Sequence, residues 1–318
     1  MRSTFAKAAA LVVGAAAVTA SLATPALADP PAGFAVAAND IVGVGSDTSQ
    51  FLGNAQAFGR GAAAGYNATS PTRKVTSWDA FQPGTNPPVV HDQIAIRPGV
   101  AIQRPNGSSE GINELKKAAS QVDYARSSRG PRDGDQGLLF LPVALDGLKY
   151  ATATTSSVPD GLDETALRDI YLCNTPGIKP LLPQGGSGTR TYFLGQIGLQ
   201  ESDVAGKPCI TEVQEHAFAP IAADSTAIAP FSTARFVTDG AGTGVKLNDN
   251  GFNKTRKVYN VVRYSEVDDG VQADLQAFFG DGSLGSGWVC GAEGAAARDA
   301  AGFIEAPTCG EVEFYTGG

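Results

Sequence analysis

The sequence predicts an α/β protein folded as two lobes, and three observations carry that expectation. A strand, a turn of glycine and serine, and a helix follow one another around residues 46, 108 and 187. Leu138 to Leu145 is a nearly continuous apolar run, as expected of a strand buried on both faces of a helix-covered sheet. The chain has 318 residues, with 42% apolar and 18% charged side chains, enough for a real core and more than one core usually spans.

Taken in order, Asp40 to Val44 approaches the turn Gly43-Val44-Gly45-Ser46-Asp47-Thr48 as a strand, and Ser49 to Arg60 continues as a helix. Thr48 stands where a dinucleotide-binding turn needs its last glycine, which disfavours a nucleotide cofactor. Residues 61–88 form a long excursion with a short strand at Lys74 to Trp78. A strand at Ile94 to Ile96 precedes the turn Asn106-Gly107-Ser108-Ser109 and a helix from Glu110 to Ala119 with Ile112, Leu115 and Ala118 on its apolar face.

Beyond Leu145 the reading places a glycine break and a second strand at Lys149 to Thr155, with the first crossing between lobes there. A helix over Asp163 to Leu172, a strand over Ile178 to Leu182, the turn Gly185 to Gly188 and a helix through Ile197 follow. Residues 226–229 and 233–236 resemble short strands, 239–252 a hairpin or loop, Val258 to Tyr264 a return strand and Val271 to Phe279 a helix. The expected division is a leader at 1–28, first-lobe residues 29–148, second-lobe residues 149–258 and a returning segment 259–318.

The leader is read from Arg2 and Lys7, the apolar run Ala8 to Leu22, and Ala26-Leu27-Ala28 before Asp29. Its run is short of a membrane span, and no lipid-attachment cysteine lies at the cleavage region, so a secreted or periplasmic mature chain is expected. Losing Arg2 and Lys7 makes the formal charge of -8 more negative by two, which disfavours nucleic acid and anionic membranes as partners. All four cysteines lie in the mature chain, and an oxidising compartment favours the sequential pairs Cys173–Cys209 and Cys290–Cys309. With no CxxC pair and only His91 and His216, no metal site is expected.

A small oxyanion needs short donors converging on a dehydrated site, and helix starts rich in glycine and serine supply them. Ser187, Gly188 and Thr189 are the strongest candidates, followed by Ser108 with Ser109, and by Asp47 with Thr48. Arg126, Arg129 and Arg190 are candidate counter-charges, and Arg132 is expected at the surface. Ser187 sits in no complete nucleophile elbow and neither histidine is linked to it by a motif, so catalytic residues are not expected.

In order and spacing, Gly43-Val44-Gly45, Gly107-Ser108-Ser109-Glu110-Gly111, Val122-Asp123-Tyr124 and Gly185-Gly186-Ser187-Gly188-Thr189-Arg190 resemble the periplasmic phosphate-binding protein family. These proteins are the substrate-binding components of phosphate ABC transporters. The resemblance implies a type II periplasmic-binding-protein fold enclosing phosphate between two α/β lobes, with no enzymatic activity and no cofactor. It implies ligand-facing roles for Asp47, Thr48, Ser108, Ser187, Gly188 and Thr189. A family aspartate falls on Ser128 and a family arginine on Pro183, so this chain departs from the pattern at two charged positions. Arg126, Arg129 or Arg190 would then supply the missing positive charge.

The expected function is reversible capture of phosphate or a related oxyanion for uptake or sensing, with an ABC permease as partner. Two other readings stand beside it: a secreted partner-binding or structural module on the same fold, and a hydrolase dependent on Ser187.

Overall fold

The computed structural model describes residues 29–85, 88–267 and 272–316, so the leader at 1–28 lies outside the described residues. Eleven strands are described: β1 Ile41–Gly45, β2 Val75–Ser77, β3 Gln93–Arg97, β4 Val100–Gln103, β5 Tyr124–Ser127, β6 Leu138–Ala153, β7 Lys179–Pro183, β8 Thr211–Val213, β9 Ala227–Ser232, β10 Val245–Leu247 and β11 Lys254–Arg263. Nine form one sheet in the order β2-β1-β5-β11-β6-β9-β7-β8, with β10 also on β6; β3 and β4 form a separate hairpin.

The sheet has two parallel wings joined by two long strands. On one wing β1 runs parallel to β2 and β5; on the other β7 runs parallel to β8 and β9. Between them β6 and β11 pair antiparallel, from Lys254 opposite Leu148 to Arg263 opposite Leu138. Each lobe has its own apolar clusters. Ile41, Leu52, Tyr124, Leu141, Phe278 and Phe279 belong to the first lobe, and Tyr150, Leu167, Tyr171, Phe193, Ile228 and Phe252 to the second. Each buried side chain of this size contributes on the order of 1.5–3 kcal/mol.

Two local expectations are corrected. The glycine at 147 does not break the strand: β6 runs unbroken from Leu138 to Ala153. A Cβ at Gly147 would lie 2.6 Å from Thr233 Oγ1, so this glycine marks a close approach of the helix Thr233–Asp239. Residues 233–236 begin that helix instead of forming a strand, because Ser232 Oγ accepts the Arg235 amide at 3.1 Å and caps it. The return strand also starts earlier than expected, at Lys254, which places Arg256 within the crossing.

Both expected disulfides are present. Cys173–Cys209 lies in the second lobe, and Cys290–Cys309 fastens the terminal segment of the first. No helix among the described residues is long and apolar enough to cross a membrane.

Candidate oxyanion site between the lobes

The strand–turn–helix units aim their helix starts at one place. After β1, Gly45 adopts φ 117°, and a Cβ there would lie 2.7 Å from the Arg126 carbonyl oxygen, so only glycine lets this turn press against β5. The turn presents Ser46 and Thr48 before the helix Gln50–Phe58. Ser108 opens the helix Ser108–Leu115, Ser128 follows β5, and Gly188 and Thr189 open the helix Gly188–Gln196 after β7.

The hydroxyls meet in a buried cluster. Ser128 Oγ lies 3.2 Å from Ser46 Oγ, 3.2 Å from Thr48 Oγ1 and 3.3 Å from Ser108 Oγ. Thr48 Oγ1 of the first lobe lies 3.1 Å from Thr189 Oγ1 of the second. At Gly188 a Cβ would lie 2.2 Å from Ser128 Oγ and 2.5 Å from Ser108 Oγ, so its bare backbone is what allows the lobes to touch. The hydroxyls are in direct contact, and their residues are fully buried.

Counter-charge comes from the crossing strands. Arg256 on β11 stands opposite Asp146 on β6. Its Nε and Nη2 donate to Asp146 Oδ2 at 3.1 and 2.9 Å, and Nη2 also reaches Thr189 Oγ1 at 2.7 Å and Thr48 Oγ1 at 3.2 Å. Asp146 Oδ1 accepts from Ser232 Oγ at 2.7 Å, which fixes the carboxylate and hence the guanidinium. The Arg256 Nη1 donor is buried without a hydrogen-bond partner in the protein.

Glu215 and His216, in the loop after β8, complete the interface. Thr48 Oγ1 donates to Glu215 Oε1 at 2.9 Å, while Glu215 Oε2 is buried with no hydrogen bond to the protein. Asp47 makes its side-chain hydrogen bonds to groups outside the hydroxyl cluster. Its Oδ1 accepts from His216 Nδ1 at 2.7 Å and from Arg235 Nη1, both in the second lobe. The Arg235 guanidinium also lies over the Phe51 ring, 4.5 Å from its centroid. Burial raises the Asp47 pKa to about 6 against the pull of Arg235 and Arg126, and burial lowers that of His216 to about 3. At neutral pH the imidazole is therefore uncharged and donates from Nδ1 to an ionised Asp47.

The cations expected from the sequence lie elsewhere. Arg126 is buried in the first lobe, where it donates to Ser77 Oγ at 2.8 Å and the Trp78 carbonyl at 2.7 Å and braces the Ser46 turn. Arg129 pairs with Asp135 at 2.7 Å. Arg190 pairs with Glu201 at 2.7 Å and Glu212 at 3.0 Å. Arg132 is exposed, its Nη2 3.2 Å from Ser109 Oγ. Ser187 Oγ accepts the Arg190 amide at 3.0 Å as a helix cap. His216 is bonded to Asp47, and His91 to Glu110.

Arg256, Glu215, His216, Arg235 and Asp146 were missing from the expected set. Arg256 lies in a basic run, Lys254 to Lys257, just ahead of the return strand expected from Val258, and nothing local in the sequence marks it as a site residue. Among the described residues, no group of three or more His, Cys, Asp or Glu side chains is placed to hold a metal.

No family model matches the sequence, and no curated protein matches it. Solved structures do match the fold. A Clostridium perfringens protein assigned as a phosphate ABC transporter substrate-binding protein, with phosphate bound, superposes with a TM-score of 0.60 at 15% identity, covering 84% of this chain and 100% of its own. An ABC-type phosphate transport receptor from Vibrio cholerae gives 0.54 at 18% identity, with 84% and 100% covered. Hydrogen peroxide-bound OxyR from Corynebacterium glutamicum gives 0.50 at 10% identity, with 84% and 68% covered. The chain therefore has the two-lobed α/β fold of type II periplasmic binding proteins, a fold that also occurs outside transport receptors.

Proposed function

We propose that this chain is an exported solute-binding protein that captures phosphate reversibly between its lobes and presents it to an ABC permease. The lobes comprise residues 29–148 with 259–318, and residues 149–258, with both changeovers inside the crossing strands; the leader at 1–28 directs export. The observation that carries the reading is the meeting of Ser46, Thr48, Ser108, Ser128 and Thr189 hydroxyls beside Arg256.

Each hydroxyl can donate one hydrogen bond to an oxyanion, and rotation of the hydroxyl lets it exchange its present neighbour for the guest. Arg256 adds a charge-assisted donor from the strands about which the lobes move. Binding then favours the closed population, because a guest can take donors from both lobes and the crossing strands at once only when the lobes meet around it. Ser128, in place of a carboxylate, contributes a donor, while Arg256 takes over the neutralising role that Pro183 cannot fill. The proposed capture involves no covalent step: Ser187 Oγ caps a helix, and the hydrogen bonds of His216 and His91 go to Asp47 and Glu110, not to Ser187.

Isothermal titration calorimetry on mature protein, unfolded and refolded to strip bound anions, tests this reading. Saturable one-to-one binding of inorganic phosphate, tighter than sulfate and without product, is expected. Absence of heat with both anions would refute it.

A further inference from the structure

We propose that Glu215 is an internal counter-ligand: its carboxylate occupies the hydroxyl cluster when the lobes are closed and is displaced when an external oxyanion is held. This rests on the oxyanion reading of the cluster and adds a regulation of it.

Four observations lead there. Glu215 belongs to the second lobe and is only 1% exposed, yet its Oε1 accepts the hydroxyl of Thr48 from the first lobe at 2.9 Å. Thr48 has one proton to give, so the carboxylate takes the hydrogen bond that a guest oxygen would take. Second, Oε2 is buried without a hydrogen bond to the protein, so the seat meets only part of a carboxylate's demand and is poorly held.

Third, Arg256 is already paired with Asp146 at 2.9 Å. An oxyanion added while Glu215 stayed in place would have to share Thr48 with one carboxylate and Arg256 with another, so displacement is favoured over addition. Fourth, Glu215 sits between β8 and the helix Phe218–Ala222, in a loop held by side-chain amides. Its amide donates to Gln184 Oε1 at 2.7 Å, and Gln214 and Asn106 exchange two hydrogen bonds at 2.9 Å. His216, next in sequence, has φ 58°, an uncommon conformation for a side chain of that kind. Such a loop can withdraw its carboxylate without unfolding a strand or helix. The clasp therefore lets the lobes close without a guest and lowers apparent affinity by the fraction of molecules so closed.

The test compares wild type, Glu215→Gln and Glu215→Ala, each confirmed as folded by a cooperative urea transition with both disulfides intact. Calorimetry with inorganic phosphate and with sulfate is combined with small-angle scattering in the absence of added anion. The proposal expects Glu215→Ala to bind phosphate at least tenfold more tightly, as loss of one competing charge-assisted hydrogen bond implies, with Glu215→Gln between it and wild type. It also expects a larger radius of gyration for anion-free Glu215→Ala. Wild-type phosphate binding accompanied by weaker or unchanged binding in both variants would overturn the counter-ligand while leaving the oxyanion site intact. No binding of either anion by any of the three chains would overturn the site and the counter-ligand together.

Discussion

Replacing Arg256 by glutamine separates its structural role from its role toward an anion. The guanidinium makes two hydrogen bonds to Asp146, at 2.9 and 3.1 Å, and contacts Thr189 and Thr48 at 2.7 and 3.2 Å. In the variant, Asp146 keeps the hydrogen bonds from Ser232 Oγ at 2.7 Å and the Ala234 amide at 3.3 Å but loses its counter-charge. An uncompensated buried carboxylate of this kind costs about 3–5 kcal/mol. Removing one charged donor from the anion costs about 1.5–3 kcal/mol more, roughly 10- to 150-fold in affinity. Adding Asp146→Asn should recover most of the lost stability, because the orphaned charge is gone, yet leave phosphate binding impaired. Urea unfolding reports the first effect and calorimetry the second. A folded Arg256→Gln protein that binds phosphate within twofold of wild type would refute the assignment of Arg256 as the neutralising group.

Three further outcomes are expected. Gly188→Ala places a methyl 2.2 Å from Ser128 Oγ, across the lobe boundary, so it should hold the lobes apart and abolish measurable phosphate binding while costing little in the urea transition; a wild-type radius of gyration at saturating phosphate would contradict this. The Asp47 pKa, raised to about 6, adds stability below the ordinary carboxylate range that is lost as pH rises through 6, whereas the His216 pKa, lowered to about 3, adds stability above 6.5 that is lost as pH falls toward 3. Their slopes oppose between about pH 4 and 6, so Asp47→Asn should make stability fall more steeply with acid across that window than wild type; urea midpoints measured at each pH decide, and a shallower fall would contradict the cause assigned. Replacing Cys290 and Cys309 by alanine, which opens a link spanning 19 residues, should cost about 3 kcal/mol, and replacing Cys173 and Cys209, spanning 36, slightly more; peptide mapping without reduction should return only these two pairs.

What was legible in the sequence was local. Gly45, Gly107 and Ser187 mark helix starts by short-range sterics and capping, so the three turns and their neighbouring strands could be placed from composition alone. Their convergence followed from the resemblance, which no single turn establishes. Tertiary contacts decided the rest. Gly147 read as a break because its partner, Thr233, lies in another element, and Phe236 read as part of a strand because the cap at Ser232 outweighed its propensity. Arg256 meets Thr48 across 208 positions of sequence and Glu215 meets Thr48 across 167, so neither pairing has a local signal. Arg190 illustrates the converse: beside the SGT turn in sequence, it is drawn off by Glu201 and Glu212.

The central claim is that donors from separate turns and one guanidinium from the crossing strands share a single guest. A crystal structure with arsenate, a phosphate isostere located by its anomalous scattering, tests it most directly. The account predicts one strong peak within hydrogen-bonding reach of Thr48, Ser128, Thr189 and Arg256. A peak at another position with this cluster still closed on itself, or none at saturating arsenate, would contradict it.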